Sequence, residues 1–141
     1  MKIVETIQAY GHENIQATHK TTLEITKEAY LTKKGDCIIA VSADKALADL
    51  KQEFKEALRR ESVKLTIKIE TEGFVETVHA FGSSKLVLTH STDMVVRKSS
   101  YVCARTLAVN ANKAACDLSR MLVEKLKDPN IKVKITLTVN V

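Results

Sequence analysis

The chain has 141 residues, of which 45% are hydrophobic and 28% charged, and this length and composition are typical of a single folded domain. They exclude an intrinsically disordered chain, which lacks the apolar surface that offsets the entropy of ordering. Four glycines, one proline and three cysteines also exclude collagen-like proteins and disulfide scaffolds. No apolar run approaches the roughly 18 residues of a transmembrane helix, and residues 1–5 do not resemble a secretory signal. We therefore expect no membrane partner and a cytoplasmic location.

The net charge of +5 is unevenly distributed along the chain. Residues 1–72 contain twelve basic and twelve acidic side chains, whereas residues 73–141 contain ten basic and five acidic ones. A basic face in the second half would attract nucleic acid or another phosphate-bearing ligand. The alternative is an ordinary, modestly basic surface, because a charge of this size is common among small domains.

The first half is predicted to contain strands, one helix and a final strand. The helix follows Ser42, a favourable N-cap residue, and runs for about 17 residues with apolar side chains at helical spacing. Glycines fall at the proposed turns. The strands, assigned from apolar runs and from alternation of apolar and polar residues, lie near Lys2–Ala9, Ile15–Thr26, Cys37–Val41 and Val63–Ile69.

The second half is predicted to contain the same elements in the same order. Its helix follows Asn110, another N-cap residue, and ends before Pro129, the only proline. About five extra residues, around Thr92–Tyr101, are predicted to form a polar loop found in this half alone. The strands are predicted near Phe74–Phe81, Lys85–Thr89, Thr106–Val109 and Ile131–Val139.

The two halves resemble each other in sequence. When residues 40–69 are placed on residues 108–137, an offset of 68, the two segments are identical at 11 of 30 positions. A weaker match precedes them at an offset of 63. We therefore predict an internally duplicated α+β protein: two pseudo-twofold β-β-β-α-β halves, 1–72 and 73–141, forming one domain with a mixed sheet or barrel covered by two helices.

Several kinds of site are not predicted. The isolated glycines form no phosphate-binding loop or dinucleotide fingerprint, and the four histidines show no metal-ligand spacing, so we expect neither cofactor nor metal. The absence of tryptophan and the 4% aromatic content disfavour a base-stacking platform of the RNA-recognition type. An odd number of cysteines without a Cys-x-x-Cys pair predicts reduced thiols.

The first candidate site consists of two lysines at equivalent positions. Lys45 and Lys113 are each predicted in the first turn of a helix, where free N–H groups attract anions and where a cation is otherwise unfavourable. One interpretation is a pair of anion sites, with Asp36 among the nearby ligand-binding candidates. The alternative is that an internal carboxylate, such as Asp44 or Asp36, neutralises each lysine. The Ser-x-x-Lys pattern that begins at Ser42 is assigned to helix capping.

The second candidate site lies around the predicted loop of the second half. His90 and Asp93 are candidate acid–base groups with Arg97 and Lys98 as anion holders, and His19 is a weaker catalytic candidate. This hypothesis, a small enzyme, requires His90, Asp93 and Arg97 to converge on one cavity. The alternative is that both histidines, which share a strand face with apolar residues, are structural.

A third hypothesis is a structural or partner-binding role. An edge strand exposes unpaired backbone groups and can pair with another chain. We predict the segment Ile131–Val141 as such an edge, and homo-oligomerisation through it.

Several motifs together resemble an uncharacterised archaeal protein family of unknown function. The resemblance covers almost the whole chain, implies a cytoplasmic archaeal protein and implies no particular reaction. The turn Gly35-Asp36 before an apolar strand is also similar to the glycine–aspartate turn of cradle-loop barrels such as the double-psi barrel. The motifs that carry the family resemblance are Ala17-Thr18-His19-Lys20-Thr21-Thr22-Leu23-Glu24, Gly35-Asp36-Cys37-Ile38-Ile39, Ser42-Ala43-Asp44-Lys45-Ala46 and Thr92-Asp93-Met94-Val95-Val96-Arg97-Lys98.

Overall fold

The computed structural model describes all 141 residues and confirms the predicted α+β class. Two α helices, α1 (Gln52–Leu58) and α2 (Arg120–Leu126), each follow a short 3-10 turn, at Leu47–Asp49 and Ala115–Asp117. The eight strands are β1 (Lys2–Tyr10), β2 (Thr22–Thr26), β3 (Ile38–Ala40), β4 (Lys64–Thr71), β5 (Phe74–Phe81), β6 (Asp93–Arg97), β7 (Thr106–Ala108) and β8 (Lys132–Asn140).

The first sheet has the strand order β1-β8-β4-β5, and every neighbouring pair is antiparallel. Burial alternates along its strands: in β8, Val133, Ile135 and Leu137 are buried while the residues between them are exposed or half-buried. This period of two is expected of a sheet with one face in the core and the other towards solvent.

The second sheet has the order β3-β2-β6-β7, with an antiparallel central pair and parallel outer pairs. Leu23 and Ile25 of β2 and Met94 and Val96 of β6 face the core that the two sheets share. Single bridges, Tyr10 to Val41 and Phe81 to Val109, connect the edges of the two sheets. The second sheet is mixed, as predicted, but the strands form two sheets and do not close into a barrel, because only a single bridge joins them at each edge.

The order β-β-β-α-β occurs twice along the chain. β3, α1 and β4 recur 68 residues later as β7, α2 and β8, whereas the start of β2 at Thr22 and that of β6 at Asp93 are 71 residues apart. The extra residues therefore belong to the first half, where they lie between β2 and β3, and not to the second half around Thr92–Tyr101. That predicted loop instead contains β6, a central strand. A duplication of the chain as the origin of this order stays a prediction.

The predicted long helices are wrong. Ser42 and Asn110 have φ angles of 51° and 53°, which is left-handed backbone and not the extended conformation of an N-cap. The amide of Ser42 donates to the Glu28 carbonyl, and the amide of Ala43 donates to the Thr26 carbonyl at the end of β2. These hydrogen bonds attach the segment to β2 and the residues after it, where the sequence predicted the start of a helix. The helical segments that do form are seven residues long.

Three strand predictions also need correction. Of the predicted strand Ile15–Thr26 only β2 forms, because Ala17 has a φ of 49° and the chain bends there. The segment Lys85–Thr89 forms no strand, and Leu88 has a φ of 58°. β8 pairs on both sides, with β1 and β4, so the predicted edge Ile131–Val141 has no free ladder for another chain.

The helices cover the core between the sheets. Phe54 and Leu58 of α1 and Leu122 and Leu126 of α2 are almost completely buried, and such side chains account for most of the favourable free energy of folding. Neither helix, nor any other helical segment, has the length and apolar character that crossing a lipid bilayer requires.

Candidate functional site

The two predicted anion-binding lysines form internal ion pairs. Lys45 Nζ lies 2.9 Å from Glu5 Oε1, and Lys113 Nζ lies 2.7 Å from Glu76 Oε2. Glu5 is only 2% exposed, on the core-facing side of β1. Neither lysine lies in the first turn of an α helix, since α1 and α2 begin further along the chain. The alternative considered above, neutralisation by a carboxylate, therefore describes both lysines, although the carboxylates are Glu5 and Glu76 and not Asp44 or Asp36.

Both glutamates also hold the beginning of a helix. Glu5 Oε2 accepts a hydrogen bond of 2.5 Å from the amide of Lys51, and Glu76 Oε1 accepts one of 2.7 Å from the amide of Ser119. Burial raises the pKa of Glu76, but the hydrogen bonds from Lys113 and from the Ser119 amide outweigh it, and the net pKa is lowered. These carboxylates join the outer strands of the first sheet to the helices and have a structural role.

His19 and His90 have equivalent local roles. His19 Nδ1 accepts hydrogen bonds from the amides of Thr21 and Thr22, and His90 Nδ1 accepts them from the amides of Thr92 and Asp93. Each imidazole thus closes the turn before a strand of the second sheet. The structural interpretation of the histidines is favoured, although they lie in turns and not on a strand face.

The residues of the proposed enzyme do not form one constellation. Asp93 and Arg97 lie at opposite ends of β6, so their Cα atoms are about 13 Å apart at the usual rise of a strand. Arg97 Nε donates to Thr106 Oγ1 at 3.0 Å, and the Arg97 guanidinium lies 5.0 Å from the centre of the Tyr101 ring. An extended strand therefore separates Asp93 from Arg97, and neither cavity of the structure is lined by His90, Asp93 or Arg97.

The two remaining predicted ligand-binding residues also lie apart from any common site. Lys98 Nζ forms an ion pair of 2.8 Å with Asp117. The carbonyl of Asp36 accepts hydrogen bonds from the amides of Thr18 and His19. Neither residue contributes a free charge to a shared cavity.

A polar cluster on the outer side of the second sheet was not predicted. The Arg105 guanidinium bridges the carboxylates of Glu24 and Asp93, with Nε 3.0 Å from Asp93 Oδ2. Thr26 Oγ1 donates to Asp93 Oδ1 at 2.8 Å, and Cys37 Sγ lies 3.7 Å from Glu24 Oε1. Burial and the Asp93 carboxylate raise the pKa of Glu24 despite the Arg105 charge. Alternation in β2 could have revealed the cluster, because Glu24 lies between the inward-facing Leu23 and Ile25.

A group of lysines, most of them without an ion-pair partner, lies on the solvent face of the first sheet, which we call the open face. It contains five lysines and one glutamate, so it accounts for most of the chain's net charge of +5. The residues are Lys2, Val4, Thr6, Gln8, Tyr10, Lys64, Thr66, Lys68, Glu70, Val75, Thr77, His79, Phe81, Lys132, Lys134, Thr136, Thr138 and Asn140, all exposed or half-buried.

Four of these lysines lie along the two central strands. Lys132 and Lys134 are on β8, and Lys64 and Lys68 are on β4. Lys64 lies opposite Asn140, so the row spans all nine residues of β8, about 27 Å. Lys68 lies 3.7 Å from Glu70, but the other three, like Lys2, form no ion pair.

Both cavities of the structure open on this face, one at each end of the lysine row. A depression of about 300 Å³ lies beside Lys132 and Lys134, where Glu70 and Glu72 also line it. A second depression, of about 350 Å³, is lined by Lys64, Thr66, His79, Phe81 and Asn140 and contains no acidic residue. No group of three or more His, Cys, Asp or Glu side chains is placed to hold a metal ion.

Comparison with known proteins agrees with the resemblance found in the sequence. The model of a family described as a domain of unknown function, DUF371, matches residues 7–140. The uncharacterized protein MJ0206 of Methanocaldococcus jannaschii is 55% identical over 122 residues, which cover 86% of this chain and 90% of that protein. The predicted membership of an uncharacterised archaeal family is confirmed: the chain belongs to the DUF371 family.

Proposed function

We propose that this protein binds nucleic acid through its phosphates, with the open face of the first sheet as the binding surface. The observation that carries the proposal is the row of lysines on β4 and β8, most of which form no ion pair. Lysines without internal partners are available to displace the counterions that surround a phosphate backbone, and this release is the main source of sequence-independent affinity.

The contrast with the other predicted cation sites supports this choice of surface. Lys45, Lys113 and Lys98 are neutralised by Glu5, Glu76 and Asp117 at 2.7–2.9 Å. An added anion there would have to compete with a carboxylate that is already in place. Lys132 and Lys134 of β8 form no ion pair, so a ligand phosphate does not have to displace a bound carboxylate from them, although Glu70 lies opposite Lys134 on β4.

The test is a titration of a fluorescein-labelled 12-nucleotide single strand at several salt concentrations. With four phosphate contacts the logarithm of the affinity falls with a slope of about −0.7 per contact, so binding weakens roughly 50-fold between about 50 and 200 mM salt. The same affinity at low and high salt would discard the proposal. Binding of inorganic phosphate as tightly as the strand would reassign the surface to a small anion.

We also propose that the repeated order of elements comes from a duplication of the chain. Equivalent contacts support it: Glu5 with Lys45 matches Glu76 with Lys113, and the turn closed by His19 matches the turn closed by His90. The free thiols of three cysteines support the further proposal of a cytoplasmic location.

A further inference from the structure

We propose that the depression at the Phe81 end of the open face is a nucleobase subsite, so that the ligand of this surface is a single-stranded nucleic acid. This inference rests on the proposed function and names its ligand more closely. The depression of about 350 Å³ is within the size range of ligand pockets.

Strand register brings the lining residues of this depression together. Phe81 of β5 lies directly opposite Lys64 of β4, and Lys64 lies opposite Asn140 of β8. His79 lies opposite Thr66 one step further along the same face. Directly opposite residues have Cβ atoms about 5 Å apart, so an aromatic ring, a cation and an amide line one small area.

The polar side chains of this area have no partners within the protein. The Asn140 amide, the His79 ring and the Thr66 hydroxyl form no hydrogen bonds, and Lys64 forms no ion pair. The bonds at His79 beyond the sheet ladder involve only its backbone: its amide donates to Asn112 Oδ1 at 2.9 Å, and its carbonyl accepts from the Asn112 amide at 2.9 Å. An amide offers both a donor and an acceptor to the edge of a base, while the Phe81 ring offers a surface for stacking.

Charge distinguishes this depression from the one at the opposite end. Glu70 and Glu72 line the other depression and would repel a phosphate there. No carboxylate lines the Phe81 depression, and Lys64 is placed to hold the phosphate of the nucleotide whose base stacks on the ring. The sequence disfavoured a platform of several aromatic residues, and a single ring beside a row of lysines does not require one.

A single strand fits this arrangement better than a duplex. The face of a four-stranded sheet is too broad for a helical groove, which admits one helix or a two-stranded ribbon. In a duplex the bases are also stacked and paired, so that none can lie on Phe81. A single strand leaves its bases free to stack, and stacking of this kind tolerates any base.

The experiment compares a 12-nucleotide strand of thymidines with an abasic strand of the same length and charge. The wild-type protein is expected to bind the thymidine strand about tenfold more tightly, the usual effect of one stacked base. Phe81→Ala should remove this difference and leave the affinity for the abasic strand unchanged, while Phe81→Trp should retain it. Tyr30→Ala, which changes an aromatic side chain that is 77% exposed and lies off this face, is the control.

The outcomes separate the subsite from the proposed function. If the wild type binds both strands equally and with strong salt dependence, the phosphate surface stands and the base subsite is overturned. If Phe81→Ala weakens both strands alike while its melting temperature is unchanged, the ring does not select for a base and the subsite is also overturned. If neither strand binds, or if vesicles containing phosphatidylserine bind and the strands do not, both proposals fail.

Discussion

The Glu5 carboxylate is almost completely buried on the core-facing side of β1, and it lies 2.9 Å from the ammonium group of Lys45. It also accepts the amide hydrogen bond of Lys51 at the start of α1. One carboxylate thus fixes the segment between β3 and α1 to the outer strand of the first sheet. Because the Lys45 charge serves this contact, it is not available to a ligand.

Replacement of Glu5 by alanine is expected to lower the free energy of unfolding by about 3 kcal/mol, because it leaves a buried amide and a partly buried ammonium without a partner. Urea denaturation followed by circular dichroism measures this change. Glu76→Ala is the matched comparison and should cost less, since the Glu76 side chain is more exposed. Equal and small losses in the two variants would contradict a structural role for Glu5.

The pH dependence of stability should reveal the lowered pKa of Glu76. Burial alone would raise this pKa, but the bonds from Lys113 and the Ser119 amide lower it below the ordinary value of 4.5. The contribution of Glu76 to stability is therefore complete above pH 4.5 and is lost as the pH falls through the folded-state pKa. Melting temperatures of the wild type and Glu76→Gln should differ at pH 7 and converge towards pH 3, whereas a constant difference would exclude this linkage.

The cysteines on the second sheet should differ in reactivity. Burial and the neighbouring Glu24 raise the pKa of Cys37 to about 11. At Cys103 burial raises the pKa, but hydrogen bonds from the Arg105 amide, Thr106 and Arg97 outweigh it and lower the pKa overall.

Because the thiolate is the nucleophile, iodoacetamide at neutral pH should alkylate Cys103 well before Cys37. Peptide mass spectrometry at timed intervals measures both rates. Arg97→Ala should slow the reaction of Cys103, and alkylation of Cys37 first would show that the two environments are assigned incorrectly.

If nucleic acid binds to the lysine row, removal of lysines from the row should weaken binding more than removal of the same charge elsewhere on the surface. The double variant of Lys132→Ala and Lys134→Ala should weaken binding of the 12-nucleotide single strand at least tenfold at low salt and reduce the salt slope by about 0.7 per lysine. The control is the double variant of Lys33→Ala and Lys34→Ala, which removes the same charge from exposed residues outside the open face. Equal losses in the two double variants would indicate a non-specific charge effect.

Local sequence patterns predicted most strands correctly, but not their pairing. Alternation located β4 and β8, because successive side chains of a strand point to opposite faces of its sheet and only one face of this sheet is buried. The prediction that β8 lies at an edge did not follow from this alternation, and the structure places β8 between β1 and β4. Strand order depends on which segments form hydrogen-bonded pairs, and the residue pattern of one segment does not reveal its neighbours in the sheet.

The long helices failed for a different reason. Leu47, Leu50, Phe54 and Leu58 are all buried, as their helical spacing suggested. The chain nevertheless interrupts the helix, because Leu50 and Lys51 are extended and the Ala43 amide bonds to the Thr26 carbonyl of the second sheet. The helical spacing therefore predicted correctly which side chains are buried. It did not predict the backbone conformation, which depends on hydrogen-bond partners elsewhere in the chain.

The sequence by itself determined the α+β class, most residues of the apolar core and the family, since periodicity and motifs are properties of residues that are close together in the chain. Only the tertiary structure decided which charges are free. Lys45 and Lys132 are both lysines beside apolar segments, and the difference between them is that Glu5 lies 2.9 Å from Lys45 whereas Lys132 has no carboxylate partner. Because such pairs join residues far apart in the chain, a ligand-binding surface made of unpaired charges emerges only when the strands have assembled.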